Sequence, residues 1–340
     1  IKECDWSSDV CSSDLASSTL TLNYRNLAEG NYRLTLMADA DGFRDTQGNL
    51  LDGNTDGYGG DDYVIDFRVD TEGATALPAV QAVNPAGSLI YDPQVGGHLF
   101  GAADSDDFSI TLDAGQKASV RVTPVAGLQV QVELVRASDA VVLGTASAAA
   151  GETVLLQNVA IAEEGDYIVR VGSLSGSGGY TAQLLLNVQV EAESAGGGDN
   201  DSSGNAENLE GSSVALVDSA DRLAVLGSLA AGGDDWYAFT LAAGQSVSLA
   251  ATRTNGGDAG DLTLRLYDAA AVHQALGVAD AFNVDQSISH FVAPAAGTYY
   301  ARLSSSVSAM DYSLVVTRSA EFGLESRQAQ DVSATGQVLA

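Results

Sequence analysis

Asp52-Gly53-Asn54-Thr55-Asp56-Gly57 sets side-chain oxygens at alternate positions and a glycine at the turn. This is the opening half of a D-x-N-x-D-G loop, the pattern with which a chain folds around a hard cation. The twelfth position, where such a loop needs a bidentate glutamate, is Tyr63, and the nearest acids, Asp61 and Asp62, are displaced from it. Asp52, Asn54, Asp56 and Asp62 are therefore candidate ligands for Ca2+. A solvated, Asn- and Gly-rich hairpin is the competing reading. Catalytic patterns are missing: the three histidines, His98, His273 and His290, share no motif, and neither H-E-x-x-H nor G-x-S-x-G occurs. No enzyme is expected. Trp236, Tyr237, Tyr299 and Tyr300 could line a sugar or peptide groove, or could pack the core and edge of a sheet.

Charge narrows the partners. The chain carries 45 acids against 15 basic residues, a formal charge of −30. Such a surface repels nucleic acid and anionic membranes. No run approaches the ~20 apolar residues of a membrane span. The expected partners are an extracellular polysaccharide or protein, met by monomeric modules outside the cell or on its surface.

The elements that must position these residues are strands. Leu20–Tyr24, Tyr32–Leu36, Val64–Val69, Val130–Leu134, Leu262–Tyr267 and Tyr312–Val316 alternate apolar and polar residues. Period two puts one face on a core and the other in water. Gly, Asn, Asp and Ser cluster between these runs, as turns require. The expected class is all-β.

One segment is written twice. Asp106-Asp107-Phe108-Ser109-Ile110-Thr111-Leu112-Asp113-Ala114-Gly115-Gln116 returns as Asp235-Trp236-Tyr237-Ala238-Phe239-Thr240-Leu241-Ala242-Ala243-Gly244-Gln245. Gly165-Asp166-Tyr167 returns as Gly297-Thr298-Tyr299, and Tyr180 as Tyr312. Two copies of a unit of about 110 residues make an array, and arrays serve reach, display or binding. The units span 84–190 and 206–318, and each is expected to fold alone as a β-sandwich. Tyr167 and Tyr299 are expected in the cores, with their hydroxyls near the surface or on backbone. Residues 71–83 and 191–205 read as linkers, the second acidic, glycine-rich and short of apolar residues. Residues 319–340 resemble the opening of a third, truncated unit: Ala329-Gln330-Asp331-Val332 echoes Ala206-Glu207-Asn208-Leu209.

Residues 1–15 stand apart. Asp5 to Leu15 resembles a translated sequencing-library adapter, and this segment is expected to contribute nothing to the fold. Residues 1–15 contain both cysteines, Cys4 and Cys11, and their removal takes the formal charge from −30 to −27. The chain is accordingly expected to be a fragment.

The repeated units resemble bacterial pre-peptidase C-terminal domains. Asp104, Asp106, Phe108, Ile110, Leu112 and Gly115 in the first, and Asp235, Tyr237, Phe239, Leu241 and Gly244 in the second, carry the likeness. Gly165/Tyr167 and Gly297/Tyr299 supply the next element. The resemblance implies tandem jelly-roll-like β-sandwiches without catalytic activity. It also implies a calcium site, because calcium-binding members of that family join a Glu-x-Glu and an Asn-Asp ahead of the sandwich to aspartates on it. The matching residues are Glu191, Glu193, Asn200 and Asp201, with Asp234 and Asp235; Gly196-Gly197-Gly198 lengthens the family spacing. Residues 16–70 resemble the last strands of a bacterial Ig-like domain, through Gly30–Leu36, Asp45–Gly53 and Tyr63–Asp70. The expected function is a structural or adhesive repeat region of a large secreted or cell-surface bacterial protein. The alternative is the accessory tail of a secreted hydrolase, a protease above all, serving secretion or substrate binding.

Overall fold

The computed structural model describes residues 11–14, 19–24, 27–44, 48–71, 73–217, 219–279 and 283–322. Strand makes up 54% of the described residues and helix 3%, so the fold is all-β, as the alternation predicts. It divides into two compact units, Ile1–Glu72 and Gly73–Ala340. Of the adapter-like segment only Cys11–Asp14 is described, paired antiparallel with Thr19–Leu22. Residues 323–340, expected to continue a third unit, lie outside the described residues.

In the first unit, Gly30–Leu36 and Tyr63–Val69 form an antiparallel ribbon. Cross-strand pairs hold it: Tyr32 stacks on Phe67 at 5.6 Å, and Arg33 grips Asp66 with two hydrogen bonds of 2.7 and 2.9 Å. Val64 and Ile65 remain exposed.

The second unit holds two sandwiches. In the first, one sheet runs in spatial order Val141–Ser147, Gln129–Arg136, Gly165–Ser175, Ser105–Leu112 and Thr75–Ala76. The other runs Val154–Ala160, Lys117–Pro124, Gly178–Leu186 and Gln94–Leu99. The second sandwich pairs the sheet Glu207–Asn208, Asp234–Leu241, Gly297–Ser305, Leu262–Tyr267 and His273–Leu276 with a longer one. That sheet contains Gln189–Val190, Asp221–Leu229, Met310–Arg318, Ser246–Gly256, Gln286–Val292 and Val278–Ala279 in order. Alternate residues of each strand face the core, as period two demands.

The duplicated segments take the same register. Gly165 pairs with Leu112 and Gly172 with Ser105; Gly297 pairs with Leu241 and Ser304 with Asp234. The shared Ala-Gly-Gln makes the same turn twice. Gly115 and Gly244 adopt φ of 90° and 78°, a region costly for residues with a Cβ. The Gln116 and Gln245 side chains then accept from the backbone N–H three residues earlier, both at 2.9 Å. Tyr167 and Tyr299 are buried as expected, 1% and 3% exposed, and each hydroxyl donates to a carbonyl four residues back, Glu163 and Ala295.

A third apolar cluster joins the sandwiches. Ile90, Leu185 and Val188 of the first meet Ala224, Ala250 and Val315 of the second, with Val190 and Val284. Small residues on the outer face of Asp221–Leu229, Ser246–Gly256 and Met310–Arg318 allow the close approach. Ser313 Oγ and Asn283 Nδ2 donate to the carbonyls of Asn84 and Ala86. Arg222, 9% exposed, donates to the carbonyl of Gly87 and lies 5.5 Å over the Phe322 ring; burial pushes it down to about 10. Separated, each sandwich would expose its side of this seam.

Candidate metal centre

The connector between the sandwiches is ordered by hydrogen bonds rather than by apolar burial. Gln189–Val190 runs parallel to Asp221–Leu229, and the Glu191 N–H extends the ladder to the Leu226 carbonyl at 2.9 Å. Glu193–Ala195 is one 3-10 turn, and Gly196 ends it at φ 78°. The Asn200 carbonyl accepts from the Trp236 N–H at 2.8 Å, fastening the connector to strand Asp234–Leu241. Glu207 fastens it from the other side, its carboxylate accepting from the Ala192 N–H at 3.0 Å and from Gln189 at 2.9 Å.

These bonds carry the connector acids to the mouth of the second core. Glu191 is 1% exposed and Asp235 3%. One carboxylate oxygen each of Glu193, Asp201 and Asp235 lies within 4.8 Å of the others. Glu191 stands behind them. Its carboxylate accepts from the Ser228 N–H at 2.9 Å, from Tyr237 at 2.6 Å and from Asn200 Nδ2 at 3.2 Å.

Asp234 does not join. Neighbouring strand residues face opposite sides of a sheet. Asp235 is in phase with the core residues Tyr237, Phe239 and Leu241, which aims Asp234 outward. There it makes a bidentate pair with Arg302, with contacts of 2.7 Å. The alternation of the segment already contains this separation.

The buried oxygens form a chain. Tyr237 lies 2.6 Å from Glu191 Oε1, 2.5 Å from the Tyr312 hydroxyl, and Tyr312 lies 2.6 Å from Asp235 Oδ2. Two phenolic protons serve two of these three contacts; the third needs a proton on a carboxyl group. Burial pushes Asp235 up to about 8, and the nearby charge of Glu191 adds to it, with smaller pushes from Glu193 and Asp201. A neutral Asp235 therefore closes the chain at neutral pH. Burial also holds both phenols well above the usual tyrosine range. Glu193 is raised by burial and by the charges of Glu191, Asp201 and Asp199.

This donor set fits a hard divalent cation. Among the described residues no basic group contributes to the shift of Asp235. Asn200 is 2% exposed, and its Oδ1 has no hydrogen-bond partner. An orphaned buried carbonyl costs about 1–3 kcal/mol, and a cation beside it would remove that cost. Three carboxylates and an amide oxygen are ligands of the type that Ca2+ prefers. Glu193, Asp201, Asp235 and Asn200 would hold the ion, with Glu191 as a buried anion behind them.

Tyr237, Tyr312 and Glu207 escape a search for acid motifs. The signal for Tyr237 lies in comparing the two segments, since Phe108 stands at its position in the first sandwich. Gly227 has an equally local reason. A Cβ there would collide with the Tyr312 hydroxyl, and Gly97 stands in the same relation to Tyr180.

The loop of the first unit gathers a different set. Asp52, Asp56 and Asp61 come within 4.8 Å of one another. Asp62 turns away and accepts from the Ala38 N–H at 2.8 Å. Asp52 accepts from the N–H groups of Asp56 and Gly57, at 3.1 and 2.8 Å. Asn54 Oδ1 accepts from Asp56 N–H at 2.9 Å, and Asp56 from Tyr58 N–H at 2.8 Å. Turn capping thus accounts for the placement of Asp52, Asn54 and Asp56.

Comparison with known proteins bears on the second sandwich. Residues 233–305 match the bacterial pre-peptidase C-terminal domain, PPC. Asp235 lies inside the match, and Glu191, Glu193, Asn200 and Asp201 precede it. No curated protein matches the chain. Among solved structures, the g-type lysozyme inhibitor PliG of Aeromonas hydrophila is 17% identical, with a TM-score of 0.25, over 33% of this chain and 96% of its own. YhaK of Escherichia coli is 12% identical, with a TM-score of 0.22, over 66% of this chain and 83% of its own. The PBSX exported protein XepA is 11% identical, with a TM-score of 0.20, over 66% and 86%. Likeness at this level carries no functional argument. No helix among the described residues is long and apolar enough to cross a membrane.

Proposed function

We propose that this chain is a non-catalytic spacer and display region of a secreted or cell-surface bacterial protein. In this reading both sandwiches are PPC-like modules, residues 16–70 are the end of an Ig-like domain, and calcium at the connector fixes one module against the next. The observation that carries the reading is the convergence of Glu193, Asp201 and Asp235, with the buried side-chain Oδ1 of Asn200 in the same connector left without a partner. Strand pairing and buried acids bring a fifteen-residue connector onto one sandwich, and an ion that binds only this folded state would stabilise it by mass action. The apolar seam supports a stiff spacer rather than beads on a flexible string.

The PPC match favours one other reading, the accessory tail of a secreted protease, because such domains accompany peptidases. A peptidase domain encoded in the same gene would favour the tail, and its absence there the spacer. Calcium is tested by thermal unfolding in millimolar CaCl2, in NaCl of equal ionic strength and in EDTA. A higher Tm in CaCl2 alone, lost in Asp201→Ala, is the expected result. Equal stabilisation by both salts would leave only screening of an acidic surface.

A further inference from the structure

The outer face of the second sandwich carries rings and arginines where the first carries ion pairs. On strands Asp234–Leu241, Gly297–Ser305 and Leu262–Tyr267, the residues facing away from the core include Trp236, Tyr300, Arg302, Arg265 and Tyr267, all partly exposed. Trp236 lies 4.8 Å from Tyr267 and 6.3 Å from Tyr300, and the Arg302 guanidinium sits 5.6 Å over the indole. Matching register positions of the first sandwich hold Asp107 for Trp236, Ile168 for Tyr300, Val135 for Tyr267 and Glu133 for Arg265. There Arg170 is neutralised by Asp107 at 2.7 Å and faces Glu133 at 3.9 Å.

Arg265 makes the difference informative. It stands directly across from Arg302, and like charges placed opposite each other in a sheet are destabilising. Arg302 is neutralised by Asp234; among the described residues Arg265 has no carboxylate at ion-pair distance. In a chain with three acids for every basic residue, the outward positions of these three strands hold two arginines, Arg265 and Arg302, against one acid, Asp234. We propose that this face binds a carboxylated polysaccharide. Arg265 meets a sugar carboxylate, with the bidentate geometry that guanidinium offers. Trp236, Tyr267 and Tyr300 offer ring faces to the apolar faces of neighbouring sugars. Gly297–Ser305 is hydrogen-bonded on both sides, so an extended peptide finds no open edge there for main-chain pairing. At physiological salt the Debye length of about 8 Å screens the remaining acids of the chain from this contact.

The inference does not depend on the calcium site, because Asp235 faces the other side of its strand. The test is a fluorescence titration of the full chain in a Trp6→Phe background, where Trp236 is the sole reporter, with polygalacturonate, dextran and poly-glutamate, each in CaCl2 and in EDTA. Saturable quenching by polygalacturonate alone is expected. Arg265→Glu should weaken it at least tenfold and Tyr300→Ile severalfold, both changes restoring residues that the first sandwich carries; the response of Tm to calcium should be untouched. No binding of polygalacturonate, or equal binding of dextran, overturns the proposal. Equal binding of poly-glutamate overturns it in favour of an acidic protein partner. Unchanged binding in Arg265→Glu removes this face as the site.

Discussion

The two sandwiches share a register and differ in what surrounds one aspartate. Asp106 and Asp235 occupy the same position, each buried and each bonded to a tyrosine, Tyr180 or Tyr312, at 2.5 and 2.6 Å. Around Asp235 stand Tyr237, Glu191, Glu193 and Asp201. Around Asp106 the position of Tyr237 is Phe108, and Thr75 takes the strand register that Glu207 holds in the second. The Asp–Tyr pair therefore belongs to the scaffold. In the proposed reading, the cation-binding chemistry would arise where the connector brings further acids to the same point, in the approach to the sandwich rather than in the sandwich itself.

The largest expected effect tests the shared part. Tyr167→Ala and Tyr299→Ala should each cost about 3 kcal/mol or more, as truncation of a large buried aromatic does, measured by denaturant unfolding. A cost below about 1 kcal/mol in one alone would break the structural equivalence.

Calcium tests the unshared part. At a hundredfold excess over Kd, one site on the folded state adds about 2.7 kcal/mol. Asp235→Asn should abolish that gain and Asp106→Asn should leave it whole, read as Tm with CaCl2 against NaCl. A gain lost equally in both variants would move the cation away from the connector.

The next effect is the pH dependence of the metal-free protein. Asp235 titrates at about 8 when folded, above the ordinary 3.8 of an aspartate. Between those values the folded protein keeps a proton that the unfolded chain has released. Its contribution is full below 3.8 and is lost as pH rises through about 8. Unfolding in EDTA across this window should show stability falling with pH, with a shallower slope in Asp235→Asn. The same slope in both would mean that Asp235 is ionised when folded. The smallest effect is the deletion of residues 1–15, which should leave Tm within a degree or two; a larger drop would make that segment part of the fold.

Much of the fold was legible in the sequence. Period-two alternation called for half-buried strands, and the duplicated Phe/Tyr-x-Ile/Phe-x-Leu and Ala-Gly-Gln marked matching strands and turns. These are local preferences, and local chemistry decides them. The phase of Asp235 with Tyr237, Phe239 and Leu241 also contained the outward aim of Asp234, although a match on adjacent acids groups the two. Tertiary structure alone decided the connector. Its composition is that of a flexible tether, and neither Glu191 nor Asn200 has a local reason to be buried. They are buried because the ladder of Asp221–Leu229 captures Gln189–Val190, and because the Ser228 N–H and the Tyr237 hydroxyl lie ready to receive a carboxylate. The seam is of the same kind: Ala224, Ala250 and Val315 read as the unremarkable outer face of a sheet until Ile90, Leu185 and Val188 cover them. A sequence specifies which face of a strand is apolar, but which distant surface meets that face depends on the path of the whole chain.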